Sequence, residues 1–124
     1  MYKPYHLIGL ELGISVASIA VRQEATGATG EWRGDVGATA KRALKKGEKL
    51  DGEGGFTVYG KLMQTADSLR MNALPIGLAH NMVLKRDIAA GEVVTWNDVD
   101  YDATKQAVVV RREQEALFRK DMPG

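Results

Sequence analysis

Between Leu7 and Val21 apolar side chains fall on almost every side of a helical wheel: Leu7, Ile8, Leu10, Leu12, Ile14, Val16, Ile19 and Val21. The polar positions Glu11, Ser15, Ser18 and Arg22 recur at intervals of four, three and four, so they share one narrow stripe. This spacing predicts a helix over 4–22, with Pro4 in its first turn, where a missing N–H has no intrahelical partner to lose. Leu10–Val16 also alternates, and a strand is the competing reading there. A helix apolar on most of its circumference has to be covered on most sides, by another subunit or a further domain.

After it the pattern lapses. Residues 23–35, QEATGATGEWRGD, hold three glycines and little periodicity, and read as a linker that Trp32 pins to the domain. From Val36 the texture is of short strands and tight turns, with strands expected near 36–42, 47–50, 56–62, 81–86, 92–94 and 99–101. Thr65–Met71 is expected to make one or two helical turns, capped by Thr65 or Asp67 and broken by Asn72 and Pro75. From Thr104 to Lys120 a last helix is predicted, with Ala107, Val110, Leu117 and Phe118 on its buried side. Arg111–Glu115 and Glu115–Arg119 have i,i+4 spacing, and the β-branched run Val108–Val110 weakens the helix locally.

One pattern occurs twice. KRALKKGEKLDG at 41–52 returns 44 residues later in KRDIAAGEVVTWNDV at 85–99, with the Lys-Arg pair, the glycine and the following glutamate identical. Leu44 matches Ile88, and Leu50 matches Val94. An internal repeat speaks to fold more than to chemistry. Gly47 and Gly91 are expected at positive φ, where a helical turn reverses into a strand. Asp87 is expected to accept from Ala89 or Ala90, and Thr95 with Asp98 has the spacing of a capping box. The paired Lys-Arg and Glu positions read as mostly surface.

Composition narrows the classes. The chain has 124 residues, 44% hydrophobic and 27% charged, enough for one domain with a sizeable core. Seventeen basic and sixteen acidic residues leave a formal charge of +1, so no large field draws the chain to nucleic acid or a membrane. There is no cysteine, hence no disulfide, thiolate nucleophile or Cys-ligated metal. The first apolar run is too short for a span and contains Glu11, and its flanks do not resemble a secretory signal, so a cytoplasmic location is expected. No GxGxxG is present.

Candidate chemistry is sparse. His80 follows the apolar run LPIGLA, where a base or phosphate ligand could stand, although a hydrogen-bonded structural histidine is the plainer reading. The same holds more strongly for His6. Asp98, Asp100 and Asp102 begin like a calcium loop, but Ala103 stands where glycine is needed and Val109 where glutamate is needed. On an edge strand they would simply face water. GEGG at 52–55 lacks the Lys-Ser/Thr of a phosphate loop, yet its glycines mark a sharp turn or a close approach. Lys41, Arg42, Lys45, Lys46 and Lys49 are interspersed with acids and lack an aromatic platform, so they read as a solvated face. Arg111 and Arg112 read as helix-surface pairing.

The doubled K-R-φ-x-x-G-E-x-φ pattern with T-W-N-D-V resembles the SAF domain, a β-clip fold, over about 36–103. That fold occurs in type III antifreeze proteins, at the C-terminus of sialic acid synthases, in pilus and flagellar assembly chaperones and in sugar-acid dehydratases. YKPYHLIGLELGISVASIAVR at 2–22, LDGEGGFTVYGKLM at 50–63 and LPIGLAH at 74–80 further resemble the C-terminal part of homoserine-dehydrogenase-like oxidoreductases. The branch with deoxyxylulose-phosphate reductoisomerase-like enzymes belongs to that group. In that family a nicotinamide-binding Rossmann domain precedes this region, and PYHLIGLE ends the catalytic domain. No counterpart of the Rossmann half lies within these residues, so no nicotinamide-binding or catalytic residue carries over.

The resulting expectation is a mostly β protein with flanking helices: an apolar helix at 1–22, a linker at 23–35, a β-clip domain with a pseudo-twofold repeat at 36–103, and a C-terminal helix and tail at 104–124. It would serve as a non-catalytic module of an NAD(P)-dependent oxidoreductase acting on a small sugar-derived substrate, binding no cofactor itself. It would supply subunit contacts and a wall of the substrate site, and its partners would be the Rossmann and catalytic region or a second copy joined through the N-terminal helix. His80, Gly54, Gly55 and Lys61 are the candidate ligand-binding residues, with no metal site. A free-standing sugar-acid-binding module is the alternative, with an antifreeze-like protein or assembly chaperone behind it.

Overall fold

The two halves of the repeat face each other at Leu44 and Ile88. Each donates its N–H to the other's carbonyl, at 2.9 and 3.0 Å. From there the hydrogen bonds come in matched pairs. Gly47 donates to Leu84 and Gly91 to Ala40, both at 2.8 Å. Leu50 donates to Met82 and Val94 to Ala38, again at 2.8 Å. Each turn-and-strand unit therefore pairs not with its own preceding strand but with the strand preceding its copy. The sequence repeat has become an interlocked pseudo-twofold pair.

The computed structural model describes residue 4, residues 7–28 and residues 30–120, with the side chains of Leu10 and Lys120 outside the description. His6 and the end of the tail lie outside the described residues. The chain divides into two units between Glu31 and Trp32.

In the first unit, helix α1 (Ile8–Ala17) continues as a π-helical turn over Ser18–Arg22 and closes at Gln23, whose φ is 56°. Helix, not strand, is thus what forms over 10–16. Pro4 precedes the helix and does not occupy its first turn. The apolar residues are open: Ile8 is 78% exposed, Ile14 68% and Val21 81%. Among the described residues, no helix is long and apolar enough to cross a membrane.

In the second unit, β1 (Gly34–Ala40) runs antiparallel to β2 (Val58–Gln64) with Gly34 opposite Gln64 and Ala40 opposite Val58. On its other side β1 is bridged by Pro75 at Gly37 and by Val93 at Thr39. The small residues of β1 permit this approach from two sides; a Cβ on Gly37 would come within 2.8 Å of the Met63 methyl. Then follow α2 (Thr65–Met71), a 3-10 turn at Ile76–Leu78, β3 (Val83–Leu84), a 3-10 turn at Trp96–Asp98, β4 (Val99–Asp100) and α3 (Gln106–Lys120). β3 and β4 pair antiparallel. The expected strands at 47–50 and 92–94 shrink to single bridges, and helix outnumbers strand among the described residues, so "mostly β" is corrected to a mixed fold. The cause lies in the repeat: backbone bonds made two at a time between turns are not continuous ladders.

Leu44, Leu50, Val58, Leu74, Leu84, Ile88, Val94, Trp96 and Val99 form the core, each at most 1% exposed. Gly47 and Gly91 have φ of 84° and 79°, as the turn chemistry required. Asn72 ends α2 in the same left-handed region, at 55°. Gln64, not Thr65 or Asp67, occupies the N-cap of α2, and no side chain caps it. Asp87 also departs from expectation. It accepts from Lys46 N–H at 2.8 Å and pairs with Lys45 at 2.9 Å, in the other copy of the repeat. Glu92 closes the second turn instead, accepting from Ala89 N–H at 2.8 Å while holding Arg86. Glu48 accepts from Lys45 N–H and holds Arg42 in the same way. The identical Arg and Glu residues are therefore turn closers as well as surface charges.

Candidate functional site

The 51–57 loop is built inward from one carboxylate. Asp51 accepts from the N–H groups of Phe56 and Thr57 and from the Thr57 hydroxyl. Removal from water acts to raise its pKa, but these bonds outweigh that and hold it at about 2. The glycines are explained by the same packing. A Cβ on Gly55 would fall 2.2 Å from Asp51 Cγ, and one on Gly52 would meet His80 at 3.0 Å. Gly54 has φ of +77° with open space around it. Close approach to the chain's own side chains thus accounts for Gly52 and Gly55.

His80 is seated by this loop. Its Nδ1 lies 3.0 Å from the Asp51 carbonyl oxygen. The ring lines a cavity of about 630 Å³ with Leu78, Asn81, Met82, Asp100, Tyr101, Asp102, Lys105 and Val108 among its walls. Asn81 adopts φ of 62°, a left-handed conformation that asparagine tolerates better than most residues. Lys61 lines a different cavity, of about 330 Å³, with Met63, Asp67, Arg70, Met71 and Val93. Of the four residues singled out in sequence, Gly54 and Gly55 share a turn, His80 heads the larger cavity, and Lys61 stands at the smaller one.

The Asp98-x-Asp100-x-Asp102 run separates by role. Asp98 does not face water: it is 5% exposed, accepts from Arg86 Nε at 2.6 Å, and completes the capping box with Thr95. Asp100 and Asp102 line the larger cavity. Among the described residues no group of His, Asp or Glu side chains is placed to hold a metal ion.

Sequence reasoning missed the C-terminal latch. Arg111 and Arg112 are not mere surface pairs. Arg111 donates through two nitrogens to Asp35, at 3.0 and 2.5 Å, bonds Glu115 at 2.8 Å, and lies 4.5 Å over the Trp32 ring. Arg112 stacks 4.2 Å over Trp96 and bonds Glu115 and Tyr101. Trp96 Nε1 donates to Glu115 at 3.2 Å. The buried side of α3 is accordingly Val108 and Glu115; Val110 and Leu117, expected inside, are 51% and 62% exposed. Trp32 packs edge-on against Phe118, with ring centroids 5.1 Å apart. A buried face made of charges cannot be found by looking for apolar periodicity.

A family model described as SAF domain matches residues 36–100, more than half of the chain. The chain belongs to the SAF domain family. No curated protein matches it. The SAF match spans both copies of the repeat, the Asp51 loop and His80, and ends at Asp100; Lys105 and α3, which carries Arg111, Arg112 and Glu115, lie beyond it. Membership in the SAF family is consistent with an accessory or binding module.

Proposed function

We propose that this SAF chain is a non-catalytic accessory module of an NAD(P)-dependent, homoserine-dehydrogenase-like oxidoreductase acting on a small sugar-derived substrate. In this reading the nicotinamide cofactor and the catalytic groups belong to the Rossmann and catalytic region, and this chain supplies subunit contacts and a wall of the substrate site. One observation carries it: α1 and the turn after it expose Ile8, Leu12, Ile14, Ile19 and Val21, each at least 60% open. Leaving so many branched side chains in water forgoes roughly 1.5–3 kcal/mol for each that could be buried, which favours a covering partner. The resemblance of 2–22, 50–63 and 74–80 to that enzyme group names the partner.

An antibody raised against this chain tests the reading in extracts of the source cells. The expected antigen is either a longer polypeptide or a chain that co-purifies with a nicotinamide-binding protein, with NAD(P)H-linked turnover lost when the antigen is depleted. A free 13.5 kDa antigen with no such partner would overturn it. A free-standing small-ligand-binding module is the second reading, favoured by the cavity at His80.

A further inference from the structure

The cavity at His80 has a lining whose chemistry can be counted. His80 uses one ring nitrogen on the fold: the Asp51 carbonyl only accepts, so Nδ1 is the donor in that bond, and in the tautomer this selects Nε2 is an acceptor. Asp100 has no hydrogen-bond or ion-pair partner among the described residues for its carboxylate. Asp102 spends Oδ1 on the N–H and hydroxyl of Thr104, at 2.9 and 2.6 Å, and keeps Oδ2. Tyr101 accepts from Arg112 at 3.3 Å, which leaves its own O–H to donate. Lys105 is the single cation in the lining, against two carboxylates. Leu78, Met82 and Val108 give the cavity an apolar wall.

Three conclusions follow about an occupant. Three acceptor groups, His80, Asp100 and Asp102, stand against two donor groups, Tyr101 and Lys105, while the Asn81 amide offers both, so the occupant should be rich in O–H groups. The apolar wall suits C–H faces between those hydroxyls. Two carboxylates against one ammonium disfavour an added negative charge. The volume is in the range of small-molecule sites. His80 is also pre-positioned: Gly52 makes room for its ring, and Asp51 fixes both the loop and the ring's orientation. A histidine held this way loses little freedom on binding.

We propose that this cavity binds a neutral polyhydroxylated small molecule, a polyol or sugar, and discriminates against the corresponding acid. Hydroxyls donate to His80 Nε2 and Asp100, Lys105 and Tyr101 donate back, and the carbon chain rests on Leu78, Met82 and Val108. This site does not depend on the oxidoreductase reading and reverses the charge expected for a sugar-acid module.

Glucitol and gluconate form a matched pair, differing by a hydroxymethyl group in place of a carboxylate. Each is titrated into the intact ¹⁵N-labelled chain and followed by amide chemical shifts, because polyols raise thermal stability non-specifically. Saturable shifts with glucitol are expected at 77–82 and 100–108, with a Kd about fivefold or more below that for gluconate. Asp100→Asn is expected to weaken glucitol and close most of that gap. A well-dispersed spectrum establishes that the variant is folded. Non-saturating or scattered shifts with glucitol would overturn the site; gluconate binding as tightly as glucitol, or a gap unchanged in Asp100→Asn, would overturn the selectivity. None of these outcomes bears on whether the chain accompanies a nicotinamide enzyme.

Discussion

Arg111 and Asp35 lie 76 residues apart in sequence and meet through two parallel hydrogen bonds, one end of the chain clamped to the first strand of the domain by α3. Asp35 is 8% exposed and the Arg111 side chain 11%. Breaking such a pair by removing one partner leaves the other charge buried. Asp35→Ala is expected to cost about 3 kcal/mol in urea unfolding. A loss below about 1 kcal/mol would show that α3 is held mainly by its aromatic contacts.

Acid should unfold the protein through the same groups. Burial acts to raise Asp35, but the bonds from Arg111 and Ser68 win and hold it below its ordinary value. Glu115 is lowered against burial by Arg111 and Arg112, and Asp98 by Arg86 and Thr95. Each carboxyl binds its proton less readily when folded than when unfolded. Its contribution is therefore full above the ordinary carboxylate range near pH 4 and is lost as pH falls through the lowered folded value. The urea midpoint is expected to fall steeply below about pH 4, and Asp35→Asn to flatten that slope. A midpoint that rises on acidification would contradict the assignment.

Gly91→Val forces a β-branched residue to φ near 79° in a turn whose N–H bonds Ala40. A penalty of about 2 kcal/mol is expected, visible as a lower Tm. Gly47→Val should cost a similar amount because its turn is the pseudo-twofold partner, with N–H bonded to Leu84. An unchanged Tm in either would mean that the turn re-forms in another geometry.

Gly55→Ala tests how the loop seats His80. The added methyl would collide with the Asp51 carboxylate, displacing the groups that fix the loop. The expected result is a shifted His80 ring resonance with the core resonances of Trp96 and Val94 in place. At Gly54 an alanine meets open space and only the backbone strain of positive φ, so it should leave His80 where it is.

The apolar helix yields a different expectation. Ile14→Lys with Ile19→Lys changes residues that are 68% and 64% exposed, so the cooperative unfolding of the second unit should be unaffected. If a second copy covers this helix, sedimentation should shift from dimer to monomer in the double variant. A monomer in both forms would assign the cover to another protein.

Local chemistry was legible from residues alone wherever backbone conformation decided it. Gly47, Gly91, Asn72 and the Thr95–Asp98 capping box all follow from steric limits or from donors within three residues. The extent of α2 was legible for the same reason. Asp87 was misread because a short-range partner was available in sequence and a long-range one was closer in space. His80 could be singled out, but Asp100, Tyr101 and Lys105 could not be joined to it, since a failed calcium template says nothing about a cavity.

The sequence by itself determined the repeat, the turns that reverse the chain and the absence of cysteine chemistry, because each depends on residue identity and near neighbours. Only the tertiary structure decided that the two copies exchange strands, that α3 buries Glu115 beside Val108 while Val110 and Leu117 stay exposed, and which residues surround His80. Those outcomes depend on pairings between positions tens of residues apart. There, hydrogen-bond satisfaction and packing select a partner that spacing cannot specify.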